Sequence, residues 1–202
     1  MMVDVETVTR FWALLALAAD VAVVALVIGL VAGPRLRNLE ISTWWARDHA
    51  LVSAAVVAAV STAGSLYYSE GAGLVPCELC WYQRIAMYPL VVVLGSAAFG
   101  RDGSARLSAG VLASIGLSVS IWHRLLQSWP TLEGDSCGGP VRCGAAYVRE
   151  FGFVTIPWMA ASGFALVLVL LASTVVLGDA AAPSERSGDE SLSRSRETLE
   201  SR

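Results

Sequence analysis

The sequence predicts an all-α protein that crosses a membrane several times. Three observations carry that prediction. Of 202 residues, 55% are hydrophobic and 15% charged, where soluble domains carry roughly 25% charged residues. The mean hydropathy is +0.61. The apolar residues fall in long blocks, several of which reach the roughly 20 residues a helix needs to cross the hydrocarbon core.

Five spans are expected, at about residues 11–32, 48–68, 79–99, 107–127 and 153–177. The first is too long for the apolar part of a signal peptide. Asp4 and Glu6 precede it where such a peptide would be basic, and no small-residue cleavage site follows, so it reads as a retained helix. The second and fourth spans carry small residues every four positions: Ala54, Ala58 and Thr62 in one, Gly110, Ser114 and Ser118 in the other. Helices in lipid gain little from hydrophobic association, so both rows are predicted packing seams. From about residue 179 to 202 the chain is rich in Ser, Glu, Asp and Arg and is expected to be a disordered tail. The chain therefore divides into 1–47, a central 48–178, and the 179–202 tail, with no internal repeat.

Arginines orient the spans. Arg35, Arg37 and Arg47 follow the first, Arg101 and Arg106 follow the third, and Arg186, Arg194, Arg196 and Arg202 lie in the tail. Basic loops stay inside, so these segments are placed in the cytoplasm of a multi-pass plasma-membrane protein. The N-terminus, residues 69–76 and residues 128–152 then face out. Both cysteine pairs, Cys77/Cys80 and Cys137/Cys143, fall on that outer side, where disulfides persist.

All 14 basic residues are arginine, which excludes Schiff-base lysines and a phosphate-loop lysine. A formal net charge of −3 without a basic stripe argues against nucleic acid as a partner. His49 and His123 belong to different spans and opposite membrane sides, so no haem pattern arises. The richest reactive chemistry lies in the four thiols.

The first pair stands in Pro76-Cys77-Glu78-Leu79-Cys80-Trp81-Tyr82-Gln83-Arg84. Pro76 suits a helix start. Two sulfurs separated by two residues at a helix N-terminus can form a reducible disulfide, and the unpaired N–H groups and helix dipole there favour a thiolate. Arg84, four residues after Cys80, shares its helix face and can lower a thiolate pKa or hold a polar ligand group. Trp81 and Tyr82 suit the interface. The second pair, in Cys137-Gly138-Gly139-Pro140-Val141-Arg142-Cys143, lies in a Gly- and Pro-containing stretch expected to be a mobile, exposed loop that offers sulfur to a soluble partner. Four cysteines allow three connectivities, and the sequence does not choose among them. The competing bland readings are a permanent loop staple, a structural disulfide, or a four-cysteine zinc site that would leave Arg84 and its aromatic neighbours without a purpose.

These residues resemble the DsbB/BdbC family of disulfide bond formation proteins. The resemblance rests on residues 77–84, on His123-Arg124-Leu125-Leu126-Gln127 before Trp129-Pro130, on the Cys137/Cys143 loop, and on Phe151-Gly152-Phe153 leading to Ile156-Pro157-Trp158. It spans about residues 48–177 and implies a polytopic four-helix bundle, to which the first span is an additional transmembrane helix. It implies catalytic roles for Cys77, Cys80, Cys137 and Cys143: Cys137 exchanges with an extracytoplasmic thioredoxin-fold, DsbA-like oxidase, Cys143 completes that pair, Cys77 relays, and Cys80 faces a membrane quinone, ubiquinone or menaquinone. Arg84 is then the quinone-binding cation, with His123 and Gln127 beside it. No metal is implied. A partner of that type sits near about −120 mV, so its electrons need a still stronger acceptor dissolved in the bilayer. Two departures stand out: the extra helix, and a second pair spaced as in BdbC rather than in the longer DsbB loop. Asp20, midway along the extra helix, is costly in lipid and is expected to serve packing or oligomerisation. A vitamin K epoxide reductase-like quinone reductase is the runner-up, although there the loop pair precedes the membrane pair along the chain. A non-enzymatic thiol-metal membrane protein is the third reading.

Overall fold

The computed structural model describes residues 5–32, 40–100, 103–133, 137 and 141–176. The predicted tail, Arg35, Arg37, Arg101 and most of the stretch between Cys137 and Cys143 lie outside the described residues. Among the described residues the regular structure is helical: α1 (Val5–Ala32), α2 (Glu40–Leu66), α3 (Glu78–Gly100), α4 (Gly103–Ser128) and α5 (Ile156–Val176).

Four of the five helices have the length and hydropathy of a membrane span: Val5–Ala32, His49–Gly71, Ala105–Ser128 and Ile156–Val176. The third predicted span exists as α3, a helix of 23 residues packed against α2 and α4. Its first two turns hold Glu78, Gln83 and Arg84. Gln83 turns inward and donates to Ser120 Oγ of α4 at 3.1 Å. That polar end is where the cysteines sit. At its other end α2 runs eight residues further back than the apolar block suggested, because residues 40–48 contain no glycine or proline to stop a helix. Arg47 is therefore helical rather than in a loop.

The core lies between α2, α3, α4 and α5. Ala50, Ala54 and Ala58 of α2 are fully buried, as are Leu90 and Leu94 of α3, Ala109 and Ala113 of α4, and Phe164 and Val167 of α5. The α2 seam thus falls where the sequence put it. The α4 seam does not. Ser114 and Ser118 face outward, each satisfying its hydroxyl on the carbonyl four residues back, at 2.8 and 2.9 Å. A serine that bonds its own helix carries no unmet polar group into lipid, so it does not have to face a neighbour. The buried face of α4 runs instead through Ala109, Ala113, Gly116, Ser120 and His123.

Gly116 is the closest approach in this core. A Cβ there would overlap the ring of Phe164, which is fully buried. Gly116→Ala is expected to cost about 1–3 kcal/mol by overpacking, read as a lower Tm in detergent. Gly110→Ala, where a Cβ meets open space, is the control and should hold Tm or raise it, since alanine favours a helix over glycine by about 1 kcal/mol.

Two local devices carry the chain to and from the site. After Leu66, α2 widens into a π turn over Tyr67–Gly71, and Gly73 at φ 68° turns the backbone toward Cys77. Before α5, Glu150 and Val154 exchange paired backbone hydrogen bonds of 2.9 Å around a tight turn, with Phe151 at φ 50° and Gly152 at φ 80°. The Phe151-Gly152-Phe153 motif is this turn.

The additional helix α1 docks on the bundle along Thr9, Ala13 and Ala16, which are buried at helical spacing. Trp12 lies over Gly64 of α2, and Arg10 pairs with Glu150 at 3.7 Å. Asp20 accepts a hydrogen bond of 3.0 Å from Trp158 Nε1 of α5. Its costly carboxylate is thereby used in packing within the chain.

Candidate active site

Cys77 caps α3: its carbonyl receives the N–H of Trp81 at 3.2 Å. Helical spacing then turns Cys80 back over it. The two sulfurs are free thiols 3.1 Å apart and hydrogen-bonded to each other. Cys77 is nearly buried, at 6% exposure, and Cys80 is half-buried.

His123 on α4, 46 residues away in sequence, lies against this pair. Its Nε2 is 3.7 Å from Cys77 Sγ and 3.1 Å from the carbonyl oxygen of Cys143, while its Nδ1 is buried without a partner among the described residues. One imidazole nitrogen therefore sits between the two cysteine pairs. The sequence grouped His123 with Arg84 as a ligand-binding residue; its ring nitrogen is directed at the thiol. One turn on, Gln127 is buried with its Oε1 unpartnered.

The hydrogen bond from Cys80 and the adjacent imidazole hold the Cys77 thiol well below the ordinary thiol range, against the opposing effect of burial. Because the folded value is depressed, the thiolate and the stability it adds are present above the unfolded thiol's pKa. Both are lost as pH falls through the lower folded value. Alkylation of Cys77 in the reduced protein should therefore persist at pH values where a free thiol, with a pKa of about 8.5, is protonated and inert. His123→Ala should move the alkylation profile upward, and an unmoved profile would show that the imidazole does not contribute.

Arg84 reaches across to α2, donating to the carbonyl of Ser65 at 2.9 Å, beside the π turn, with its guanidinium 5.3 Å from the centre of the Trp81 ring. It is placed, and its planar fork of five donors is not exhausted by one bond.

The second pair is a Cys137–Cys143 disulfide with a Cα separation of 6.1 Å. This resolves the connectivity that the sequence left open, and it takes two thiols from the four-cysteine zinc reading. Cys143 is fully buried and clusters with Cys77 and Leu126, with Leu79, Cys80, Cys137 and Val141 packed around them. The four sulfurs therefore share one pocket of apolar side chains. Glu133 holds the second pair's segment in place. Buried at 5% exposure, it receives the Gly144 N–H at 3.1 Å and pairs with Arg142 at 3.6 Å. Glu133 was not legible in the sequence, because a lone acid in a loop reads as solvated.

A cavity of about 430 Å³ opens beside Cys77, Cys80, Arg84, His123 and Gln127. Away from this polar end its walls are aliphatic and aromatic side chains of α1, α2, α3 and α5. That size and lining are usual for a small-molecule site.

A hydrogen-bonded dithiol and a disulfide packed in one cluster within a helical membrane bundle define a membrane thiol–disulfide oxidoreductase. Residues 47–177 match the family model described as disulfide bond formation protein DsbB. The chain belongs to the DsbB family of disulfide bond formation proteins. It is 48% identical over 117 residues to a probable disulfide formation protein of Oceanobacillus iheyensis, covering 57% of this chain and 81% of that one. It is 44% identical over 117 residues to disulfide bond formation protein C of Bacillus subtilis, covering 57% and 85%. It is 35% identical over 136 residues to a probable disulfide formation protein C of Halalkalibacterium halodurans, covering 67% and 91%. No solved structure matches the chain significantly.

Proposed function

We propose that this protein is a thiol:quinone oxidoreductase that re-oxidises an extracytoplasmic, DsbA-like dithiol oxidase and delivers the electrons to ubiquinone or menaquinone. The observation that carries this reading is the position of His123, touching Cys77 and the Cys143 carbonyl while the Cys77/Cys80 pair opens onto an apolar cavity. A thiolate of the partner attacks the Cys137–Cys143 disulfide. Its second thiol closes the partner's disulfide and leaves Cys137 and Cys143 reduced. The new dithiol exchanges in the same way with a Cys77–Cys80 disulfide, so two electrons and two protons have moved to the inner pair. A quinone supplies the terminal acceptor, taking up two electrons and two protons. For that group the chain offers Arg84 as a fixed cation, Gln127 Oε1 as a buried acceptor without a partner, and apolar walls for the ring. A stabilised Cys77 thiolate favours the reduced pair and makes its disulfide a stronger oxidant, which a strongly oxidising partner requires.

The test is turnover by the detergent-solubilised protein with a reduced thioredoxin-fold dithiol oxidase and quinone. Equal amounts of quinone reduced and partner disulfide formed are expected; partner oxidation without quinone loss would refute the acceptor. Cys77, Cys80 and His123 also bring three metal-ligating atoms within 4.8 Å of one another. Stoichiometric zinc in a protein without turnover would favour the thiol-metal reading instead. Arg84→Ala should raise the apparent KM for quinone about ten- to a hundredfold, the scale of a lost charge-assisted hydrogen bond. An unchanged KM would remove Arg84 from the binding site.

A further inference from the structure

We infer that α1, the helix outside the family match, forms a wall of the acceptor site and sets which prenyl tails it admits. The inference rests on the quinone reading above.

Trp12, Leu15, Ala16, Ala19 and Ala22 all line the cavity that begins at Cys80 and Arg84. Their spacing of three, one, three and three residues places them on one stripe of a helix. The stripe runs beside the docking seam of Thr9, Ala13, Ala16 and Asp20, so the contacts that hold α1 to the bundle also aim this stripe into the cavity. The same cavity is lined by Val56, Val57 and Val60 of α2 and Met159, Ala160 and Gly163 of α5. The cavity is thus polar at the cysteine end and hydrocarbon along α1, the order of a quinone's ring and tail. Trp12 joins the two ends. It lies over Gly64, next to Ser65, whose carbonyl holds Arg84. The occupant of the α1 end is therefore the tail of the molecule whose ring lies at Arg84. The alanines supply the width, since each could be filled by a larger side chain. Matching residues begin at 47, so the four-helix core alone does not supply this wall.

The test compares acceptors that share a ring and differ in the tail. Dimethylnaphthoquinone is paired with phylloquinone, and 2,3-dimethoxy-5-methyl-1,4-benzoquinone with decylubiquinone, each with a reduced thioredoxin-fold dithiol oxidase as donor. In Ala19→Phe the ratio of KM for the tailed acceptor to KM for the tail-less one should rise about five- to tenfold, as overpacking the wall excludes the tail. Val21→Phe is the control: Val21 is 70% exposed on the opposite side of α1 and should leave the ratio where it is. An unchanged ratio in Ala19→Phe, or an equal shift in Val21→Phe, overturns the wall. A second measurement does not depend on the variants folding. A decylubiquinone with a photoreactive group at the tail end should label α1 peptides of the unmodified protein. Labelling confined to α2 and α5 would overturn the inference while leaving quinone reduction intact. Failure of the unmodified protein to reduce any of the four acceptors would instead remove the quinone reading, and this inference with it.

Discussion

Cys80→Ser is expected to abolish quinone-dependent turnover, by more than about a thousandfold, because it removes a sulfur that bonds change partners on. Cys77 and Cys80 stand 3.1 Å apart, and a serine oxygen cannot complete a disulfide with Cys77. The Cys137–Cys143 disulfide is untouched by the change. A single exposure to reduced partner should therefore still oxidise about one equivalent, with no quinone consumed and no second turnover. That burst separates a broken relay from an unfolded protein. Sustained quinone reduction by Cys80→Ser would end the relay.

Cys137→Ser and Cys143→Ser should also stop turnover, but with different products. Cys143 is fully buried, its carbonyl is engaged by His123, and the next residue's N–H is bound by Glu133. Cys137 is only half-buried. Attack on a disulfide needs an approach to sulfur, so the partner should meet Cys137. In Cys143→Ser the remaining Cys137 thiolate attacks the oxidised partner, releases one partner thiol, and lacks the neighbour that would resolve the product. A mixed disulfide should accumulate on non-reducing gels. Cys137→Ser should accumulate none, since its Cys143 is screened. The reverse pattern would mean that the partner enters by the buried sulfur.

Much of this architecture was legible because lipid imposes simple demands. A helix must hold about 20 apolar residues to cross, and four of the five helices declare themselves that way. The third is recognisable despite Gln83 and Arg84 because the cysteines mark its start. Arg84 could be placed for the same reason, since residues four apart share a helix face. The α4 face was misread because a serine in lipid can satisfy itself on its own backbone, so a row of small residues does not say which way it points. Contacts across the bundle were out of reach: nothing local tells His123 to meet Cys77, Trp158 to meet Asp20, or Glu133 to bind Gly144. The disulfide pairing was undetermined for the same reason, since spacing allows three arrangements and tertiary packing selects one.

The docking of α1 has one more effect. Only 6% of its apolar window is buried in the protein, against 22–39% for the other three qualifying spans. The least-held element of a fold opens most readily. Here that element is a cavity wall whose far side is hydrocarbon. Swinging it aside would make a lateral door onto the bilayer, through which a greasy molecule could be exchanged without ever meeting water and without loosening the four helices that keep the sulfurs in register.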